Sequence, residues 1–392
     1  MSIVIFGDLF SFPDGLAATN RIYTYAKGFK ERGFNVHVIC LSNNYMDVPD
    51  GITDGISYYN PFGQKKRNKY FIIRRWLKFK KYIKTFYLVN KINKSDRIFV
   101  INRWSETLII QVFAWMLAKV SGTRVISECS EHPLRMYKNS FFRPIGVMKF
   151  YIDSFLCNGI ICISRYLIEF HREMRIKEYK LLLVPSTVDP SRFIPTSNRP
   201  ISDFYIGYFG SLTFKRDNID ALIKAFSLLS PGHPQVHLVL GGFCTVDEKQ
   251  EITDLIASLN IVNKVKIIDF LTRQEITKYI LNADILVMMR SKNLDSDASF
   301  PSKLTEFLAT GKPVVSVSVG EISDFLTDGI NSFIVAPGNV EELTKKLDFV
   351  INNYDHAKSI SNKGKELTEG VFNYRFQASR IIDFINSLYK RA

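Results

Sequence analysis

Short apolar runs alternate with amphipathic stretches along nearly the whole chain. Ile3–Phe6, Val36–Ile39, Ile98–Ile101, Val125–Ser127, Ile160–Ile163 and Leu181–Val184 read as buried strands in the first half. Tyr205–Phe209, Val236–Leu240, Val265–Ile268, Ile285–Met289, Pro313–Val317 and Phe333–Val335 do the same in the second. Helical periodicity marks Asn20–Arg32, Ile219–Leu229 and Val340–Ile351 between them, and Thr272-Arg273-Gln274-Glu275 is a capping box that opens a further helix. Continuous apolar strands separated by helices predict an α/β protein with parallel sheets covered on both faces.

The series restarts near residue 200, where Pro185, Pro190, Pro195 and Pro200 punctuate a polar stretch suited to a linker. Two doubly wound domains are therefore expected, at 1–198 and 199–372. In such sheets ligands lie outside the carboxyl ends of the strands, where strand order reverses. Two of them facing a central cleft would suit a substrate with two recognisable halves.

Composition changes this picture little. The chain is 46% hydrophobic and 23% charged, which is ordinary for globular domains. Charges interrupt every candidate membrane span, and the opening MSIVIFGDLF lacks the basic start of a signal peptide. Cys40, Cys129, Cys157, Cys162 and Cys244 are scattered and lack zinc spacing, so they read as reduced core thiols in a cytosolic compartment. The net charge of +14 asks for anionic partners.

The most informative segment is Phe300-Pro301-Ser302-Lys303-Leu304-Thr305-Glu306, continuing to Gly311-Lys312-Pro313. Pro301 suits a first turn and Ser302 a cap. Free N–H groups there, at the positive end of the helix dipole, can bind a diphosphate. Lys303 adds a point charge, and Glu306 sits one turn in, where a carboxylate can accept from a ribose diol. Taken alone, the segment could equally be a capped helix with a surface glutamate.

This segment, with Val319–Leu326 and Asp328–Val335 after it, resembles the retaining glycosyltransferases of family 4, which have the GT-B fold of two Rossmann-like domains. The resemblance runs in order along most of the chain. Gly207–Leu212 with Lys215, Arg216 and Leu222–Phe226 resembles the first strand, loop and helix of the family's donor domain. Val184–Asp189 with Arg192, Phe193 and Pro195 resembles its entry to the linker, Gly15–Gly33 with Val36 its opening loop and helix, and Ala283-Asp284 also fits. The resemblance implies transfer of a hexosyl unit from a nucleotide sugar (UDP- or GDP-sugar) to a glycan, with retention. It also implies that a final helix at about Phe376–Tyr389, within 373–392, packs back on the first domain.

The donor-binding set so implied is Gly210, Ser211, Lys215, Arg216, Arg290, Ser302, Lys303, Leu304 and Glu306. Ser211 stands where the family commonly has Arg, and either Lys215 or Arg216 matches its diphosphate-neutralising lysine. Glu306 matches the second acidic residue of the paired-glutamate motif. The first falls at Ala298, so Asp295 or Asp297 is the candidate replacement on the donor sugar, with Asp297 taken as catalytic. Asp295-Ser296-Asp297 has the spacing of a metal-binding pair, but a solvated acidic loop is the favoured reading. No metal and no cofactor beyond the co-substrate is expected.

In the first domain, Glu131 and His132 follow a strand and are catalytic candidates; a loop of solvated charges is the alternative. Gly15 and Arg21 lie in a loop of small residues before the first helix and are acceptor-site candidates. That loop is not a G-x-G-x-x-G fingerprint, which disfavours a nicotinamide dehydrogenase.

Between Gln64 and Lys94 the chain holds no Asp or Glu, and its cations interleave with Tyr70, Phe71, Trp76, Phe79, Tyr82, Phe86 and Tyr87. At helical spacing Ile72, Ile73, Trp76, Ile83, Phe86 and Tyr87 fall broadly on one face. An anionic membrane surface is the expected partner, with a solvated helix packed on the domain as the alternative; no nucleic acid is expected. The implied picture is a cytoplasmic enzyme, peripheral on the inner face of the membrane, with a lipid-linked acceptor. A sugar-nucleotide epimerase of the same fold and a non-catalytic accessory protein are the competing readings.

Overall fold

The computed structural model describes residues 1–390 apart from 16, 44, 46–48, 97, 104–106, 138–140, 195–198 and 270–271. Leu16, next to Gly15 in the opening loop, and Pro195 of the linker lie outside the described residues. The chain divides into two compact units, Met1–Thr187 with Tyr374–Ala392, and Val188–Asn373. The division falls ahead of the 198/199 boundary read from the proline pattern. The Val188 N–H donates to the Phe372 carbonyl at 2.9 Å, which ties the start of the second unit to its end.

The first unit holds β1 (Ser2–Gly7), β2 (Asn35–Cys40), β3 (Gly51–Thr53), β4 (Ile56–Tyr59), β5 (Ile98–Arg103), β6 (Val125–Cys129), β7 (Gly159–Cys162) and β8 (Leu181–Leu183). Their order is β3-β4-β2-β1-β5-β6-β7-β8, parallel throughout except for the β3–β4 hairpin. That hairpin is absent from the hydrophobic reading because it is short and half-exposed. Its Asp54-Gly55 turn was the available signal. The helices are α1 (Ala17–Glu31), α2 (Phe71–Ser95), α3 (Leu108–Val120), α4 (Arg143–Leu156) and α5 (Arg165–Glu173).

The second unit holds β9 (Phe204–Ser211), β10 (Val236–Phe243), β11 (Val265–Ile268), β12 (Ile285–Met288), β13 (Val314–Val317) and β14 (Phe333–Val335), in the order β11-β10-β9-β12-β13-β14 and wholly parallel. Its helices are α6 (Phe214–Asp217), α7 (Ile219–Leu229), α8 (Val246–Ser258), α9 (Arg273–Asn282), α10 (Leu294–Asp297), α11 (Ser302–Ala309), α12 (Ile322–Phe325), α13 (Val340–Asn352) and α14 (Tyr354–Glu369). Thr272 and Glu275 form the capping box of α9 as the sequence indicates.

The last helix, α15 (Tyr374–Lys390), belongs to the first unit. It buries Tyr374, Ala378, Ile381, Ile385 and Leu388 on one stripe, with Ala378 and Tyr374 against Gly28 of α1. A fully buried Ile or Leu contributes about 1.5–3 kcal/mol, so this stripe is a substantial part of that unit's core.

Strand order reverses between β1 and β5 in one sheet and between β9 and β12 in the other. At each reversal the connections leave for opposite faces and open a crevice at the carboxyl ends. In the second unit the residues at that crevice are Gly210 and Ser211, ending β9, and Arg290, just past β12.

Candidate active site

Two hydrogen bonds stitch the loops leaving β9 and β12 together. The Ser291 N–H donates to the Arg216 carbonyl and its hydroxyl to the Lys215 carbonyl, both at 2.9 Å. They fix α6 beside the crevice and so set where its cations project. Arg290 is buried, and its Nη2 donates to Ser299 Oγ at 2.8 Å. Lys303, in the first turn of α11, reaches back to β9. A Cβ added at Gly210 would collide with Lys303 Nζ and with the Tyr208 ring. Glycine lets the ammonium lie close against the backbone there; a larger residue would make the Lys303 and Tyr208 side chains shift.

Lys303, Arg290 and Arg216 feel one another's charge. Burial, helped by Arg216 and Arg290, draws the Lys303 ammonium down to about 8, against the opposing pull of Asp217 and Glu306. Burial and then Arg216 likewise lower Arg290. Of the two cations on α6, Arg216 is the one that acts on Lys303, Arg290 and Asp217. Concentrating like charge costs energy unless an anion is to be bound. Buried Asp217, held by Thr213 Oγ1 at 2.8 Å, is an anionic neighbour of this group; burial raises its carboxyl above the usual range. Sequence reasoning missed Asp217, which looks like an ordinary surface acid in Phe214-Lys215-Arg216-Asp217.

The N-terminus of α11 differs from the expectation in one respect. Pro301, with extended backbone, occupies the cap position and Ser302 is the first helical residue, so no side chain caps this end. Pro has no N–H to donate and no side chain to accept, which leaves the first-turn N–H groups without a side-chain partner. Leu304 is fully buried and anchors the helix on its sheet.

Glu306 is buried, and Arg192 Nη1 reaches its Oε1 at 3.2 Å while Arg192 Nη2 donates to Thr277 Oγ1 at 3.1 Å. Arg192 therefore holds the carboxylate in place. Its signal was its place in Asp189-Pro190-Ser191-Arg192, where Asp189 accepts from the Ser191 N–H and shapes the turn that presents it. Asp295 and Asp297 lie on α10, and both are half-buried; Ala298 behind them is fully buried. Among the described residues no group of three or more His, Cys, Asp or Glu is arranged to hold a metal ion.

In the first unit Arg21 departs from its sequence reading. It is 5% exposed, with Nε on Glu128 Oε1 at 2.6 Å and Nη1 and Nη2 on the Pro185 and Val184 carbonyls, both at 2.8 Å. Its Nε and both Nη nitrogens are thus given to protein acceptors within a buried ion pair. Gly15 is exposed and lies against the Thr19 and Ser11 hydroxyls. His132 is buried, accepts from the Leu134 N–H at 3.1 Å and packs on the Phe170 ring. Glu131 is half-exposed and pairs with Arg135 at 2.7 Å.

The basic helix α2 packs through Lys81, Thr85, Val89 and Ile92, while its first turns bury nothing. Lys81 is thus removed from the solvated cations: its Nζ donates to the Leu41 carbonyl and to Asn43 Oδ1. Most of the apolar face expected from spacing points outward, with Ile72 79%, Trp76 52% and Tyr87 71% exposed. The described helices include none long and apolar enough to cross a membrane.

Residues 192–367 match the glycosyl transferases group 1 family. The chain is 21% identical over 348 residues to an uncharacterized glycosyltransferase of Haemophilus influenzae, covering 88% of this chain and 89% of that one. Among solved structures, sucrose-phosphate synthase of Thermosynechococcus elongatus matches with a TM-score of 0.76 at 14% identity over all of both chains. Anabaena HepE in complex with UDP and glucose matches with a TM-score of 0.72 at 17% identity, over 98% of this chain and 99% of that one. The fold of these neighbours is GT-B, and this chain has it.

Proposed function

We propose, from the premise that the chain is a glycosyltransferase whose residues 192–367 form a glycosyl transferases group 1 domain, that it moves a hexosyl unit from a UDP- or GDP-sugar to a hydroxyl of a lipid-linked glycan, with retention. The observation that carries this reading is the gathering of Lys303, Arg290 and Arg216 at the strand-order reversal beside Gly210 and the uncapped N-terminus of α11. Breaking the bond between the sugar and its diphosphate builds negative charge on the departing phosphate. Preorganised cations and N–H groups lower that barrier without reorganising. The same cations neutralise the diphosphate, so the proposal needs no metal. The HepE complex with UDP and glucose supports a nucleotide sugar as donor.

In this scheme Glu306 accepts from the nucleotide ribose, and Asp297 or Asp295 takes the donor-sugar position left by Ala298. Glu131 and His132 are the catalytic candidates of the first unit, and Gly15 serves the acceptor. Glu306→Gln raises the KM for the donor about tenfold with a smaller change in kcat, as loss of a charged acceptor predicts. Steady-state kinetics at varied donor concentration would measure it.

The stretch 64–94 docks the enzyme at the cytoplasmic membrane face through its cations, each adding roughly 1 kcal/mol near an anionic surface. Changing Lys65, Lys66, Arg67 and Lys69 to Gln lowers binding to vesicles containing phosphatidylglycerol, measured by flotation at low salt.

Incubation of the pure protein with a panel of UDP- and GDP-sugars, with and without a lipid-linked glycan extract, tests the whole reading. Acceptor-dependent nucleotide release supports it. Donor isomerised without release would assign an epimerase instead, and silence towards every donor would assign an accessory role.

A further inference from the structure

Helix α3 is apolar on every side: its sequence, LIIQVFAWMLAKV, holds one cation and no acid. One face is spent on the core through Ile110, Phe113, Ala114 and Leu117. The other carries Ile109, Met116 and Val120, and all three are exposed. Helix α4, packed on α3, repeats the pattern. Its inner face buries Gly146, Phe150, Asp153 and Ser154, and its outer face exposes Met148 and Phe155, the latter to 82%. A helix that is hydrophobic all round is normally buried, and soluble proteins rarely leave such patches contiguous without a partner.

The described charges of α2, α3 and α4 are predominantly basic. Asp153, the only acid of α4, is buried and paired with Lys149 at 2.5 Å. Glu131, before α4, is paired with Arg135. The described residues of α2 and α3 contain no acid, and α2, which meets α3 through the Tyr82 and Phe113 rings at 5.0 Å, is rich in Lys and Arg. A protein partner would have to be both apolar and strongly acidic. An anionic bilayer has both properties, with head groups outside and chains beneath.

We infer that α3 and α4 form, beside α2, a continuous face that inserts its outer apolar side chains into the interface of an anionic bilayer. The inference extends the membrane reading of 64–94 and rests on it. In this arrangement the α2 cations capture the surface and the apolar residues of α3 and α4 hold it, so attachment has a salt-sensitive and a salt-resistant part.

The experiment uses the full chain and vesicles of phosphatidylcholine with phosphatidylglycerol, in flotation at low and at 0.5 M salt (roughly a 3–5 Å screening length). Met148→Ser/Phe155→Ser and Ile109→Ser/Met116→Ser are compared with the variant carrying Gln at Lys65, Lys66, Arg67 and Lys69, just ahead of α2, with circular dichroism confirming that each is folded. The expected result is that wild-type binding partly survives high salt. The apolar variants then lose that residue at least tenfold while keeping low-salt capture. If wild type binds no vesicle, the membrane reading itself fails. If wild type binds but the α3 and α4 variants bind equally well at high salt, only this inference fails. Conversion of a dimer to a monomer by the variants, with vesicle binding unchanged, would show that the face meets a second copy and would also overturn it.

Discussion

Replacing Lys303 by Met lowers kcat/KM for the nucleotide-sugar donor about 10²–10³-fold, the size expected when one preorganised donor to a departing oxyanion is removed. The loss falls on kcat as well as on KM, because the charge it meets grows as the sugar bond breaks. Neither Arg216 nor Arg290 can replace it. Lys303 is the cation set against the backbone of Gly210, whereas Arg290 is committed to Ser299 and Arg216 is exposed on α6. The pH dependence follows from its surroundings. Burial draws the ammonium down to about 8, so in the free enzyme it is charged below that pH and discharges as pH rises through it. Donor kcat/KM therefore declines above about pH 8 with loss of one proton. Lys303→Arg keeps its charge across this range and flattens that limb, though its planar fork restores only part of the rate. Initial rates between pH 6 and 9.5 decide the matter, since a merely structural lysine would leave the profile of the variant parallel to that of wild type.

The second large effect is on stability and lies in the other unit. Glu128→Ala leaves Arg21 buried with its main anionic partner gone. Arg21 is 5% exposed and Glu128 fully buried, and their 2.6 Å contact is reinforced by the Ser130 hydroxyl on the same carboxylate oxygen. Breaking such a pair from one side costs about 3–5 kcal/mol, because desolvation remains while its compensation is lost. Removing both charges is much cheaper, so Arg21→Met with Glu128→Leu recovers most of the loss. Urea unfolding of the single and double variants measures this. Equal destabilisation by both would contradict the structural assignment of Arg21 and return it to the ligand-facing candidates.

The architecture was legible because its signals are local. Buried parallel strands must be apolar along their whole length, and both sheets announce themselves as runs such as Ile3–Phe6 and Tyr205–Phe209. Helix ends are equally local, so the Thr272–Glu275 box could be read directly. The short hairpin β3–β4 escaped because a half-exposed strand of three or four residues has too few positions to show a period.

The site divides in the same way. Ser302, Lys303 and Glu306 share one helix, so their relation to a helix N-terminus follows from spacing alone. What spacing could not show is that Arg192 clamps Glu306, that Asp217 sits among Lys303, Arg216 and Arg290, or that Arg21 is spent on Glu128. Apart from the adjacent Arg216 and Asp217, these partners are separated by many tens of residues, and only the packing of sheets and loops brings them together. Charge on a linear chain reads the same whether it faces water or a buried partner. By itself the sequence determined the alternation of strands and helices, the restart near residue 200 and the helix start at Pro301-Ser302, because each depends on near neighbours. The tertiary structure alone decided which charges are buried, which are paired and which apolar helix faces remain uncovered, because burial is a property of what the rest of the chain packs against.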